Sequence, residues 1–340
     1  MACLQVTDKV PPSRHAQPAR TLDVTVLMGG PSQERDVSLI SGSGIADALQ
    51  REGHRVTRAD ISPEDTSALD RDAIDLVFIA LHGDFGESGE VQQLCEQRSL
   101  PYTASGPRAS QLAMDKHASK NLFKLAGLAT PDWVIVEKHD PPAKTASAAR
   151  RLRLPVVVKP VAGGSSLDIT IARSQTQRDD AVEDLLRKYP HAMLERYVEG
   201  REITVGILGN DALPVLEIVP SREFFDYEAK YSDDAGTRYV LDHGISPRIC
   251  RHASDAALTA HNALGCRDMS RVDFILDQHG IPQVLELNTI PGFTSHSLLP
   301  MAAAGAGLDF QQLVARIAQM ALARRNARRA KKERDSAHGT

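Results

Sequence analysis

Apolar positions along the chain alternate between short continuous runs and helical spacing. Val24 to Met28 is a compact run ended by Gly29-Gly30-Pro31-Ser32, which predicts a buried strand opening into a glycine turn. Val37 to Gln50 carries Ile40, Ile45 and Leu49 at helical spacing. Arg55 to Ala59 and Leu76 to Leu81 predict two further strands, the latter ended by His82-Gly83, and Val91 to Gln97 predicts a helix. Strands and helices in alternation indicate a parallel sheet covered by helices. This first unit runs to about Met114.

A second unit begins with a helix from Lys116 to Leu125, stopped at Gly127 with Pro131 close behind. Trp133 to Val136, Pro155 to Lys159 and Met193 to Val198 predict strands, and Ala181 to Lys188 a helix. A third unit opens with strands at Ile203 to Leu208 and Val215 to Val219. The polar stretch Arg222 to Asp242 has little periodicity, and loops of that length are usually functional or disordered. Ala253 to Leu264 predicts a helix, Arg271 to Asn288 a hairpin, and Phe310 to Ala323 the last helix. The domain plan is therefore a leader over residues 1–21, units over 22–114, 115–201 and 202–323, and a basic tail over 324–340. That tail reads as a solvated, fraying segment.

Length and charge narrow the function. A chain of 340 residues suits two or three domains with a large core. Apolar residues make up 42% and charged residues 25%, which argues against a disordered or collagen-like chain. The longest apolar runs fall far short of the ~20 residues that span a bilayer. Forty basic against forty-four acidic residues argues against nucleic acid as the main partner. Cys3, Cys95, Cys250 and Cys266 are scattered without metal-ligand spacing, as expected of reduced thiols in the cytoplasm.

The hairpin is the most informative segment. Pairing Leu276 with Ile281 places Arg271 opposite Glu286 and Asp273 opposite Val284. Arg271, Asp273, Glu286 and Asn288 then share one face unless a bulge intervenes, while Phe274, Leu276, Leu285 and Leu287 take the other. Two carboxylates and an amide oxygen suit a hard cation such as Mg²⁺. The same spacing also suits a surface ion pair between Arg271 and Glu286. Lys159-Pro-Val-Ala-Gly163-Gly164-Ser165-Ser166 follows a strand and offers exposed amides and a lysine to phosphate, or is a plain turn. Lys230-Tyr231 on the polar loop could close over an anion, or belong to an ordinary surface loop. Glu34 and His82 sit where such sheets place ligands, yet turn residues of these types are also commonly structural.

In this order the segments resemble the D-alanine–D-alanine ligases of the ATP-grasp superfamily. The resemblance rests on Leu27-Met-Gly-Gly-Pro-Ser-Gln-Glu34-Arg-Asp-Val-Ser38, Ala80-Leu-His82-Gly-Asp-Phe-Gly-Glu-Ser-Gly89, Tyr102-Thr-Ala-Ser-Gly106 and Met114-Asp-Lys116. It continues through Lys159 to Ser166, Glu195-Arg-Tyr-Val-Glu-Gly-Arg-Glu202, Asp226 to Tyr231, and Arg271 to Pro300. It implies an α/β protein with an ATP-grasp fold behind an N-terminal parallel-sheet domain. It implies ligation of two D-alanines through an acyl phosphate for peptidoglycan synthesis, with Mg²⁺ or Mn²⁺, two ions per site, by a cytoplasmic homodimer.

By matching motif positions, Lys116 and Lys159 contact ATP phosphates, Lys230 reaches the γ-phosphate, Glu195 and Tyr197 lie at the adenine, and Glu202 at the ribose. Asp273, Glu286 and Asn288 hold the metal. Arg271 and the Gly292 amide stabilise the tetrahedral oxyanion. Glu34 binds the first D-alanine's ammonium and joins Ser165 and Tyr231, with His82 beside that subsite. Ser297 and the Leu298 amide take the second D-alanine's carboxylate.

The chain departs from the family at Leu167-Asp168, where an aliphatic residue and glycine are usual, and at Tyr239 to Gly244. Tyr231 favours an amine over D-lactate as second substrate. The alternatives are a ligase with D-lactate or D-serine in that subsite, or a nucleotide-binding regulator without turnover.

Overall fold

A computed structural model of the chain describes residues 20–164, 168–220 and 236–337. The expected leader lies almost wholly outside the described residues.

In the first unit, strands β1 (Asp23–Met28), β2 (Arg55–Asp60) and β3 (Leu76–Ile79) form a parallel sheet in the order β2-β1-β3. Helix α1 (Arg35–Arg51) connects the first two. Val24, Val26, Leu27 and all of β3 are buried, the signature of a sheet covered on both faces. β3 ends two residues before the apolar run does. The chain turns there through Gly83, whose φ of +77° is left-handed, and a Cβ on it would lie 2.6 Å from Ser32 Cβ. This close approach brings the His82 turn against the turn that carries Glu34. Helices α2 (Asp84–Glu87), α3 (Glu90–Gln97), α4 (Pro107–Met114) and α5 (Lys116–Leu125) follow. α2 is a single turn, too short to show a period in sequence. α5 starts where expected because Asp115 caps it, accepting from Ala118 N at 2.9 Å.

The second sheet is antiparallel, in the order β4 (Trp133–Glu137), β7 (His191–Arg196), β5 (Val156–Pro160), β6 (Thr170–Ala172). Helices α6 (Pro142–Ala149) and α7 (Gln175–Lys188) accompany it. Val156, Val158, Ala192 and Leu194 enter its hydrophobic core with Ala181, Val182 and Leu185 of α7. Strand alternation therefore sends Val157, Lys159 and Glu195 to the opposite face.

The third sheet combines β8 (Gly200–Leu208), β9 (Asp211–Ala212), β10 (Leu216–Val219), β11 (Arg238–Val240), β12 (Met269–Asp277) and β13 (Pro282–Asn288). Its order is β11-β10-β8-β12-β13, with β9 on β8. Helix α8 (Pro247–Ala263) packs on this sheet.

The hairpin register differs from the sequence reading. Leu276 pairs with Pro282 rather than Ile281, and a bulge between Asp273 and Phe274 advances the partner again. Arg271 thus faces Asn288, and Asp273 faces Glu286. Two single-residue offsets restore the original parity, so the four polar residues still share a face. Leu285 is the extra residue of the bulge, and it turns from the expected apolar face to line a cleft.

Helices α9 (Leu298–Gly305) and α10 (Phe310–Ala337) complete the chain. Leu313, Val314, Ile317 and Ala321 of α10 join the core of the first unit. The basic tail expected from residue 324 is a correction: α10 continues through Ala337. The stretch from Ala321 to Ala337 contains no glycine or proline and is rich in good helix formers. Arg324 is moreover tied to the protein, pairing with buried Asp268 and donating to Tyr102 O at 2.8 Å. No helix among the described residues is long and apolar enough to cross a membrane.

Candidate active site

Three cavities meet where the units converge, and Glu286 borders all of them. One, of about 340 Å³, lies between the second and third sheets and is lined by Lys159, Glu195, Tyr197, Glu202, Asp273 and Glu286. A second, of about 410 Å³, runs under the glycine turn past Glu34, Lys116, Lys159, Gly163 and Gly164. A third, of about 90 Å³, is lined by Glu34, His82, Lys116, Arg271, Asn288, Gly292, Ser297 and Leu298 among others. Every expected site residue within the described chain lies on one of these walls. Ser165, Lys230 and Tyr231 lie outside the described residues.

In the first cavity Glu195 sits between two lysines. Lys159 Nζ is 2.8 Å from its Oε1 and Lys120 Nζ is 2.5 Å from its Oε2. Burial pushes the Glu195 carboxyl up, but the two lysine charges outweigh it and hold it below the usual carboxylate range. Lys120 is pushed down to about 8 by burial, with Glu195 opposing.

At the junction, Arg271 grips Asp273 through two hydrogen bonds, Nε to Oδ1 at 2.9 Å and Nη2 to Oδ2 at 2.8 Å. Thr204 Oγ1 donates to Asp273 Oδ1 at 2.6 Å. Lys116 Nζ donates to Gly163 O and lies 3.5 Å from Glu286 Oε2. Asn288 Oδ1 accepts from Ile290 N at 2.8 Å. No cluster of three or more His, Cys, Asp or Glu side chains poised for a metal occurs among the described residues. The donor set here is instead two carboxylates on paired strand positions and one amide oxygen. All are hard oxygen ligands, and they fit a cation that retains water or phosphate.

The 90 Å³ cavity is built by three approaching loops. Ser41 Oγ accepts from Phe293 N at 3.0 Å and lies 3.4 Å from His82 Nε2, joining α1 to both loops. Burial pushes His82 down, against the pull of Glu34. Ser297 Oγ accepts from Thr294 N at 2.9 Å, and Gly292 is so close that a Cβ would lie 2.6 Å from that oxygen.

Two residues emerge that the sequence reading did not single out. Glu87 lines the same cavity, where its Oε2 accepts from Gly83 N at 2.8 Å. Burial, reinforced by the Glu34 charge, pushes its carboxyl up to about 8, so it is largely neutral at pH 7. Its place inside the His82 to Gly89 motif was the available signal. Lys120 is the other, and its spacing of four from Lys116 on α5 puts both on one helix face. Asp168, the departure in the glycine turn, has φ +54° and turns to Lys188 Nζ at 2.6 Å and Tyr189 OH at 2.7 Å.

The chain is similar to known proteins over most of its length. A family model described as "D-ala D-ala ligase C-terminus" matches residues 122–319. A D-alanine–D-alanine ligase from Gloeobacter violaceus is 43% identical over 300 residues, covering 88% of this chain and 99% of its own length. The solved D-alanine–D-alanine ligase of Bacillus anthracis complexed with ATP is 30% identical, with a TM-score of 0.79, covering 91% of this chain and 100% of that one. The VanG D-Ala:D-Ser ligase of Enterococcus faecalis is 28% identical with a TM-score of 0.79, covering 89% of this chain and 100% of that one.

Proposed function

The chain belongs to the D-alanine–D-alanine ligase family, and from that premise we propose how its three cavities divide the work. The enzyme joins two D-alanines at the expense of ATP, yielding D-alanyl-D-alanine for peptidoglycan, ADP and phosphate. The observation that carries the assignment is the position of Glu286 at the meeting of all three cavities, since phosphoryl transfer needs nucleotide and acceptor to meet at one point.

ATP lies in the 340 Å³ cavity with its base toward Glu195 and Tyr197 and its ribose toward Glu202. Its phosphates reach Lys159, Lys116 and, from the polar loop, Lys230. Asp273, Glu286 and Asn288 would hold Mg²⁺ or Mn²⁺, two ions, which when bound would offset triphosphate charge. Glu34 takes the first D-alanine's ammonium, with His82 alongside and Ser165 and Tyr231 completing that subsite. The first substrate's carboxylate oxygen attacks the γ-phosphorus and ADP leaves. The second D-alanine, held by Ser297 and the Leu298 amide, attacks the acyl carbon through its amine. Arg271 and the Gly292 amide carry the developing oxyanion, and phosphate departs with one proton of the amine as the tetrahedral intermediate collapses to the peptide bond. The working form is proposed to be a cytoplasmic homodimer of units over 22–114, 115–201 and 202–323.

Phosphate release with ATP and Mg²⁺ tests this, with D-alanine, L-alanine, or D-alanine mixed with D-lactate or D-serine, and products identified by mass. Release with D-alanine and formation of the homodipeptide is expected. A mixed product preferred over the dipeptide would overturn the second-subsite assignment. Binding of ATP without release for any acceptor would overturn the mechanism.

A further inference from the structure

Lys120 touches none of the three cavities, yet among the described residues it is the most deeply buried cation at the site, with 0% of its surface exposed. Its ammonium is 2.5 Å from Glu195 Oε2 and donates to Thr130 Oγ1 at 2.5 Å. Thr130 Oγ1 in turn donates to Val284 O at 2.7 Å, tying α5 to β13. The Trp133 ring lies 5.1 Å from the same ammonium. Among the described residues, the charged groups acting on Lys120 are Glu195, Lys159 and Lys124, and those acting on Glu195 are Lys159 and Lys120.

Glu195 thus has two counter-ions of different kinds. Lys159 lines the nucleotide cavity and the cavity under the glycine turn, so it is available to phosphate. Lys120 is walled off and remains on Glu195 whatever Lys159 does. A buried carboxylate stripped of both cations takes up a proton, because an uncompensated charge costs more than neutralisation. An ionised Glu195 only accepts hydrogen bonds, whereas a protonated one also donates.

We propose that Lys120 is a positioning residue that keeps Glu195 an obligate acceptor while Lys159 serves the phosphates, and so fixes selection of a 6-amino over a 6-oxo purine. The proposal rests on the assignment of the base to Glu195. An ionised Glu195 accepts from the exocyclic amine of adenine and repels the O6 of hypoxanthine. A protonated Glu195 donates to that O6.

The test is the ratio of kcat/KM for ATP to that for inosine triphosphate, measured with D-alanine in the full chain. Lys120→Met deletes the charge, and Lys120→Gln deletes it while keeping groups able to hydrogen-bond Glu195 and Thr130. In both, the ratio is expected to fall by about tenfold or more, the scale set by mismatching a buried hydrogen-bonding group. The ratio is independent of the folded fraction, so a partly unfolded variant still reports. Glu195→Gln, whose amide also donates to O6, is expected to lower the ratio similarly, and adding Lys120→Gln to it to change little. A discriminating parent whose ratio both Lys120 variants leave within about twofold would overturn the proposal. A parent that fails to discriminate the two nucleotides would instead remove Glu195 from the base, and a parent making no dipeptide would remove the proposed reaction. Either result takes this proposal with it.

Discussion

Replacing Arg271 by methionine separates stability from catalysis at one residue. The Arg271–Asp273 pair is nearly desolvated, with side chains 14% and 11% exposed, so the small value of a surface ion pair does not apply. Removing one partner of a buried pair costs about 3–5 kcal/mol. Thr204 still donates to Asp273 Oδ1, so the lower end is expected, about 3 kcal/mol. The barrier changes independently. Losing one donor to a developing oxyanion raises it by about 3–4 kcal/mol, or some 10²–10³ in turnover. Arg271 does not line the 340 Å³ cavity proposed for the nucleotide, so ATP binding should hold. The assays are denaturant unfolding, calorimetric ATP affinity, and phosphate release at saturating D-alanine. Turnover within about threefold of the parent in folded protein would refute the oxyanion role. A fall in ATP affinity of more than about tenfold would relocate Arg271 to nucleotide binding.

Three further outcomes follow from the geometry. Gly292→Ala drives a Cβ to 2.6 Å from Ser297 Oγ, so KM for the second D-alanine should rise by about tenfold or more with KM for ATP unchanged, and equal rises in both would contradict the subsite. Asp168→Gly relieves a left-handed residue but loses the contacts to Lys188 and Tyr189. The opposing effects should leave stability within about 1 kcal/mol, and a loss above ~2 kcal/mol would show the side chain dominating. Burial pushes buried His261 down to about 4, and its Nδ1 is 2.7 Å from Ser270 Oγ. The unfolded chain binds a proton below about pH 6.5 that the folded chain refuses until about pH 4, so stability falls by about 3 kcal/mol as pH drops through that window. His261→Gln should remove that component, and an unchanged pH dependence of unfolding would refute it.

Much of this protein is written in local patterns. Val24 to Met28, Lys116 to Leu125 and the Arg271 to Asn288 hairpin declare themselves because strand runs, an Asp115 cap and a turn at Asp277 to Gly280 are short-range physics. The shared face of Arg271, Asp273, Glu286 and Asn288 was also legible, since side-chain alternation depends only on parity. The register was not, because the bulge at Leu285 inserts one unpaired residue that no alternation along either strand marks.

Three features needed the tertiary structure. α10 returns to the first unit, where Arg324 donates to Tyr102 O, a contact between residues 222 apart in sequence. Glu87 and Lys120 look like ordinary surface charges in sequence. Their pKa values are pushed toward neutrality only because distant elements bury them. Sequence determines which groups are present and which face of an element they share. Burial, and with it the charge each group can carry, is a property of the space between elements, and no single segment contains it.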